Sequence, residues 1–296
     1  MENHRQQYIL QWKEEGQSRM DLTWQQKVWK YGGAILYAVK PVFIYMFTPP
    51  LLLAVLSPLI NRQTYEVSAE YYMYASNCYT FLGLLIVMAV FWKSAKRRGK
   101  SIMEEVTLSF RDLNVRYLFG MILFGAAAAV CISSVYTLLP DLLIRSYEEI
   151  SYDTFKAYDV TLAMISMTVL APVLEEIIFR GYMLNRLLPV FGEKWAIGMV
   201  SILFALCHVN LFWGLYGLMM GYLLAKVSIR QDNLLYSIAM HIGFNLPSAI
   251  NYGILNHEGS YQALYGSSFL IACYGVVSGC ALLLLWRQYK NLENID

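Results

Sequence analysis

Charge is scarce in this chain. Only 15% of its 296 residues are Asp, Glu, Lys or Arg, against about 25% in ordinary soluble domains. Such a composition excludes a disordered, charge-solvated chain. Cysteine is sparse and odd in number. Cys78, Cys131, Cys207, Cys273 and Cys280 lie in apolar stretches with no Cys-x-x-Cys or Cys/His spacing, so they read as small core residues and not as a disulfide scaffold. The opening MENHRQQYILQWKEEGQSRM lacks the short apolar core of a signal peptide, so insertion falls to the first true span. No internal repeat or low-complexity segment appears. The net charge of +2 is spread over loops, which leaves no basic patch for a nucleic-acid partner.

What the chain has instead is hydrophobic length. Hydrophobic residues make up 57% of it and the mean hydropathy is +0.42. They fall in runs of about 17 to 25 residues, the length of a helix crossing a bilayer. The expected fold is an all-α membrane protein, a polytopic bundle of about eight helices at roughly 32–60, 75–92, 117–139, 160–188, 194–209, 212–229, 233–250 and 266–286. Pro41, Pro49, Pro50 and Pro58 predict a kink or a re-entrant break in the first. A very short turn near Asn210 and Leu211 joins the fifth and sixth. With these boundaries 19 Lys and Arg lie on one side, and Arg62, Arg145 and Lys156 on the other. The positive-inside rule then places both termini and the 93–116 loop in the cytoplasm, and the 140–157 segment opposite. Four regions follow: a polar cytoplasmic leader at 1–30, N-terminal transmembrane helices at 31–157, a core rich in intramembrane polar groups at 158–252, and a last helix with its tail at 253–296. The leader either lies on the membrane surface through Tyr8, Ile9, Leu10 and Trp12 or is a solvated tail.

Ionisable groups inside a membrane are costly and mark function. The fourth helix carries Glu175-Glu176-Ile177-Ile178-Phe179-Arg180. Adjacent residues on a helix point about 100° apart, so the two carboxylates cannot face one point. Glu176 and Arg180, at i and i+4, can pair, which leaves Glu175 to face a cavity. Pro172 frees the Thr168 carbonyl just before them. On the fifth helix Phe204 and His208 share a face, and on the seventh His241 and Asn245 do. Gly243 lets another backbone approach. The estimated depths allow Glu175, His208, His241 and Asn245 to meet in the bilayer interior. A carboxylate that takes a proton from water, with imidazoles that bind a metal or donate to an oxyanion, is the makeup of a hydrolytic site.

These three motifs together resemble the type II CAAX prenyl endopeptidases and the bacterial proteins grouped with them, the CAAX protease and bacteriocin-processing family. That family is marked by Glu-Glu-x-x-x-Arg, then Phe-x-x-x-His, then His-x-x-x-Asn or Asp. Here these read Glu175-Glu176-Ile177-Ile178-Phe179-Arg180, Phe204-Ala205-Leu206-Cys207-His208 and His241-Ile242-Gly243-Phe244-Asn245. The resemblance covers about 160–250 and makes 158–252 a CAAX-protease-like catalytic core. It implies an intramembrane endopeptidase acting on a membrane-associated peptide or protein from a cytoplasm-facing cavity. Membrane lipids and that substrate are the implied partners. By motif position Glu175 is the base that activates water, and His208 holds that water or a metal. His241 and Asn245 stabilise the oxyanion, while Glu176, Arg180 and Phe204 support them. Two His and one Glu (Glu175, His208 and His241) make a plausible zinc set, although no His-Glu-x-x-His is present. A metal-free glutamate mechanism stands beside it. Some relatives are regarded as immunity or scaffold proteins, so a non-catalytic scaffold is one alternative. A proton-coupled transporter is the other, although the repeats common in transporters are lacking. Rhomboid-like serine, aspartyl and site-two intramembrane proteases fit worse, because Gly-x-Ser-Gly, Gly-x-Gly-Asp and His-Glu-x-x-His are all absent.

Overall fold

The structure is a computed structural model. It describes residues 4–15, 22–61, 69–97, 99, 101–111, 113–136, 165–208, 211–253 and 267–293. Every regular element among these residues is helical. That is what apolar runs of this length demand, because a helix satisfies its own backbone where no water can. Besides the short helices Trp24–Lys27 and Ile102–Glu105 and a π-helical turn at Val28–Gly32, the helices are α1 (His4–Glu14), α2 (Gly33–Asn61), α3 (Ala69–Arg97) and α4 (Val115–Tyr136), then α5 (Ala171–Glu176), α6 (Asn185–Leu206), α7 (Leu211–Gln231), α8 (Leu234–Gly253) and α9 (Ser268–Glu293). Wide π-helical turns at Ser166–Leu170 and Ile177–Leu184 flank α5.

Local chemistry sets several boundaries. Thr23 and Gln26 form a reciprocal capping box ahead of α2, and Ser101 and Glu104 form another before α4. Asn114 Oδ1 accepts the Tyr117 N–H at 3.1 Å at the head of α4, satisfying a donor that the first helical turn leaves open. Helix α2 runs on through its prolines from Gly33 to Asn61 without the expected re-entrant break. The expected gap between the fourth and fifth spans narrows to one residue. Helical turns continue from Ser166 to Leu206, and only Gly192, at φ +75°, leaves helical geometry.

The described residues fall into two compact units. One comprises Met1–Val67, Cys78–Leu113 and Val173–Ile238, the other Ser68–Asn77, Asn114–Pro172 and Ala239–Asp296. Within the first unit α6 packs along α7, α1 lies against both, and α2 lies against the Ile177–Leu184 turn. Its core is the apolar side of the motif segment: Leu174, Ile178, Phe179, Met183, Leu184 and Leu187 are fully buried. Within the second unit α9 packs along α4. There α4 and α8 cross backbone to backbone: a Cβ on Gly243 would run into the Ile122 carbonyl, and one on Gly125 into the Met240 carbonyl. The close approach expected at Gly243 is borne out.

Leu36, Phe43, Phe47, Leu51 and Val55 of α2 are all more than half exposed and recur at helical spacing, an apolar stripe suited to lipid. Among the described residues three stretches are long and apolar enough to cross a membrane: Trp24–Leu52, Val115–Val135 and Ser166–Leu206. Leu234–Ile250 and Leu270–Leu285 are shorter apolar helices. The all-α fold is as expected. The basic residues assigned to the far side, Arg62, Arg145 and Lys156, and the 140–157 segment lie outside the described residues. The cysteines are less deeply set than expected: Cys131, Cys207 and Cys273 are half-buried free thiols and Cys280 is exposed on α9.

The leader is not a solvated tail. Residues His4–Glu14 form a helix docked against α6 and α7. Of its apolar residues Ile9 is buried while Leu10 is exposed. The physical reason is that the face turned inward is anchored by Arg5, fully buried, which an apolar-pattern reading cannot recognise.

Candidate active site

The two adjacent carboxylates have opposite fates. Glu176 is fully buried, and its Oε1 accepts from Arg180 Nη1 at 2.7 Å, as the i, i+4 spacing predicted. Arg180, equally buried, also donates from Nη2 to the Gly221 carbonyl at 3.1 Å. Its guanidinium lies 4.6 Å from the Phe204 ring centre. Partner, backbone acceptor and ring face together offset the cost of removing an ion pair from water. Glu175 is only half-buried. Its Oε1 accepts a hydrogen bond of 2.8 Å from the Tyr45 hydroxyl on α2. Tyr45 is a site residue that the sequence reading missed, since 130 positions separate it from Glu175 and no spacing rule joins them.

Phe204 links the first two motifs. Its ring meets Phe179 edge-on at 5.0 Å and the His208 imidazole at 4.9 Å. Helix α6 ends at Leu206, so His208 stands in the turn just beyond it rather than inside the helix. There its Nδ1 lies 2.8 Å from the Phe204 carbonyl. A carbonyl only accepts, so Nδ1 carries the proton, and in the neutral imidazole Nε2 is the basic nitrogen. A ring fixed through one nitrogen and basic at the other is prepared to hold water or a metal.

The third motif sits in the second unit. His241 is buried on α8. Asn245, half-buried, donates from Nδ2 to the Met167 carbonyl at 2.9 Å. The reason lies in the wide turn before α5. Its ladder runs from i to i+5, with the Ala171 N–H on the Ser166 carbonyl, so the carbonyl facing Pro172 is that of Met167. Proline has no N–H to give, and Asn245 supplies the donor. The sequence reading placed the freed carbonyl at Thr168; the wider register moves it by one residue.

Arg5 is the other group that sequence reasoning missed. Burial lowers its guanidinium to about 10, with Asp232 pulling it back up, so it is a cation at neutral pH.

No group of three or more His, Cys, Asp or Glu side chains placed to hold a metal occurs among the described residues. The expected zinc set of Glu175, His208 and His241 draws on both units, and no step below passes through a metal.

Fold and site define a helical membrane protein that holds one buried carboxylate in an ion pair and a second against a phenol. A family model, type II CAAX prenyl endopeptidase Rce1-like, matches residues 157–247, so the resemblance carried by the three motifs holds over that segment and supports a peptidase. The chain is also similar to the UPF0177 protein YbdI of Lactococcus lactis subsp. lactis (strain IL1403). The two are 27% identical over 172 residues, 57% of this chain and 91% of that protein. No solved structure matches the chain.

Proposed function

We propose that this protein is an intramembrane endopeptidase that hydrolyses a peptide bond of a membrane-associated protein or peptide with Glu175 as general base. One observation carries the reading. Of two neighbouring carboxylates, Glu176 is neutralised by Arg180 while Glu175 is half-buried and held by a phenol donor. Glu175 takes a proton from water as the water oxygen bonds to the scissile carbonyl carbon. The carbonyl π electrons move to oxygen, and donors placed by motif position, His241 and Asn245, stabilise that oxyanion. As the intermediate collapses the C–N bond breaks, and Glu175 returns its proton to the leaving amine. The Nε2 of His208 positions the attacking water. The topology proposed with this reading has eight spans and both termini in the cytoplasm, supported by the distribution of basic residues and by the docking of α1.

The decisive variant is Glu175→Gln, which keeps shape and hydrogen bonding but not basicity. Reconstituted in membranes with a fixed peptide substrate, it should fold normally and lose on the order of 10² to 10⁴ in turnover. Near-normal cleavage would remove Glu175 as the base. A biological effect retained without cleavage would select the scaffold reading. Dialysis against a chelator, then readdition of zinc, separates metal-bound from metal-free water in the same assay.

A further inference from the structure

The N-terminal helix is set into the protein. The Arg5 side chain is fully buried and its guanidinium fork is used on three elements. Nε donates to Asn185 Oδ1 at 2.9 Å, Nη1 to the Ser228 carbonyl at 2.6 Å and Nη2 to the Arg180 carbonyl at 3.2 Å. Asp232 Oδ1 lies 3.9 Å from Nη1 and accepts the Arg5 backbone N–H at 3.2 Å. One turn on, Ile9 is buried. At i+7 the Trp12 indole lies so close over Gly192 that an added Cβ would come within 2.8 Å of it. Arg5, Ile9 and Trp12 thus form one docking face.

The acceptor on Arg180 gives this face its meaning. Arg180 lies in the wide turn Ile177–Leu184. Arg5 donates to its carbonyl, on the very residue whose side chain holds Glu176. Burying a guanidinium is costly unless its donors are matched, and here the fork matches backbone and side-chain acceptors that no single-point cation spans.

We infer that Arg5 is a positioning residue: helix α1 is a built-in clamp that fixes the segment carrying Glu175, Glu176 and Arg180 through the Arg180 carbonyl. The clamp's effect on turnover rests on the peptidase reading, whereas its effect on the backbone does not. The test uses the full chain in lipid nanodiscs, with amide hydrogen exchange read across 177–192. Arg5→Ala should exchange about tenfold faster there, with α9 unchanged. Arg5→Lys should recover only part of the protection. Methylguanidinium at millimolar concentration should restore protection to Arg5→Ala, a response that general loss of packing would not give. Turnover of a reporter peptide by Arg5→Ala should fall about tenfold in kcat with KM unchanged. Wild-type exchange at 177–192 in Arg5→Ala overturns the clamp whatever the turnover. Should that variant not fold, Arg5→Lys and Trp12→Ala read the same segment, and wild-type protection in both overturns it equally. If wild type cleaves nothing, the peptidase reading fails and the exchange result alone decides the clamp.

Discussion

The two wide turns that flank Glu175 solve the same problem in different ways. In each, a distant side chain donates to a backbone carbonyl. Before α5, Pro172 has no N–H for the Met167 carbonyl, and the neutral amide of Asn245 serves it. After α5, the cation Arg5 donates to the Arg180 carbonyl. Wide turns of this kind are uncommon and concentrate at functional sites. The contrast is one of cost. A neutral amide on a carbonyl loses a modest amount when removed. A buried ion leaves its partner charged and stranded. The second turn is therefore the more fragile of the two.

The largest structural effect should come from breaking the buried pair in that turn. Arg180→Ala leaves Glu176 charged and enclosed, and should cost about 3–5 kcal/mol in an unfolding titration in detergent. Replacing both members with apolar residues of similar volume should recover most of it, since a neutral core carries no stranded charge. Equal stability of Arg180→Ala and wild type would refute a structural pair.

Asn245→Ala is the matching cut in the first turn, and should cost about 1–3 kcal/mol for the orphaned Met167 carbonyl. Pro172→Ala restores an N–H at the position that faces that carbonyl. The double variant Pro172→Ala/Asn245→Ala should thus regain stability. If Asn245 also donates to the oxyanion, the double variant stays about 10² to 10³ slower in peptide cleavage. Recovery of both stability and rate would make Asn245 a backbone cap alone.

Tyr45→Phe should be the mildest. It removes one donor from Glu175 and leaves the ring in place. The expected loss is about 1.5 kcal/mol of interaction with a charged acceptor, read as roughly tenfold in turnover. An unchanged rate would show that the phenol does not hold the base in its working state.

Sequence spacing made the short-range half of this site legible. Glu176 and Arg180 pair because residues four apart on a helix lie on one face, and Phe204 meets His208 one turn on, just past the end of α6. The same periodicity misjudged details where the helix is not regular. It put His208 inside a helix that ends at Leu206, and it counted the orphan carbonyl of Pro172 in the wrong register. Arg5 was hidden for another reason: a docking face anchored by a buried cation has no apolar signature.

By itself the sequence determined the all-α class, the apolar helices long enough to cross a bilayer, and the order of the three motifs, since hydrophobic length and helical period are local properties. Only the tertiary structure decided what holds the motifs in place. Tyr45 reaches Glu175 across 130 residues, Asn245 reaches Met167 across 78, and Arg5 reaches Arg180 across 175. No period connects such pairs. They exist because buried carbonyls and carboxylates must find donors, and packing decides which distant side chain arrives to provide one.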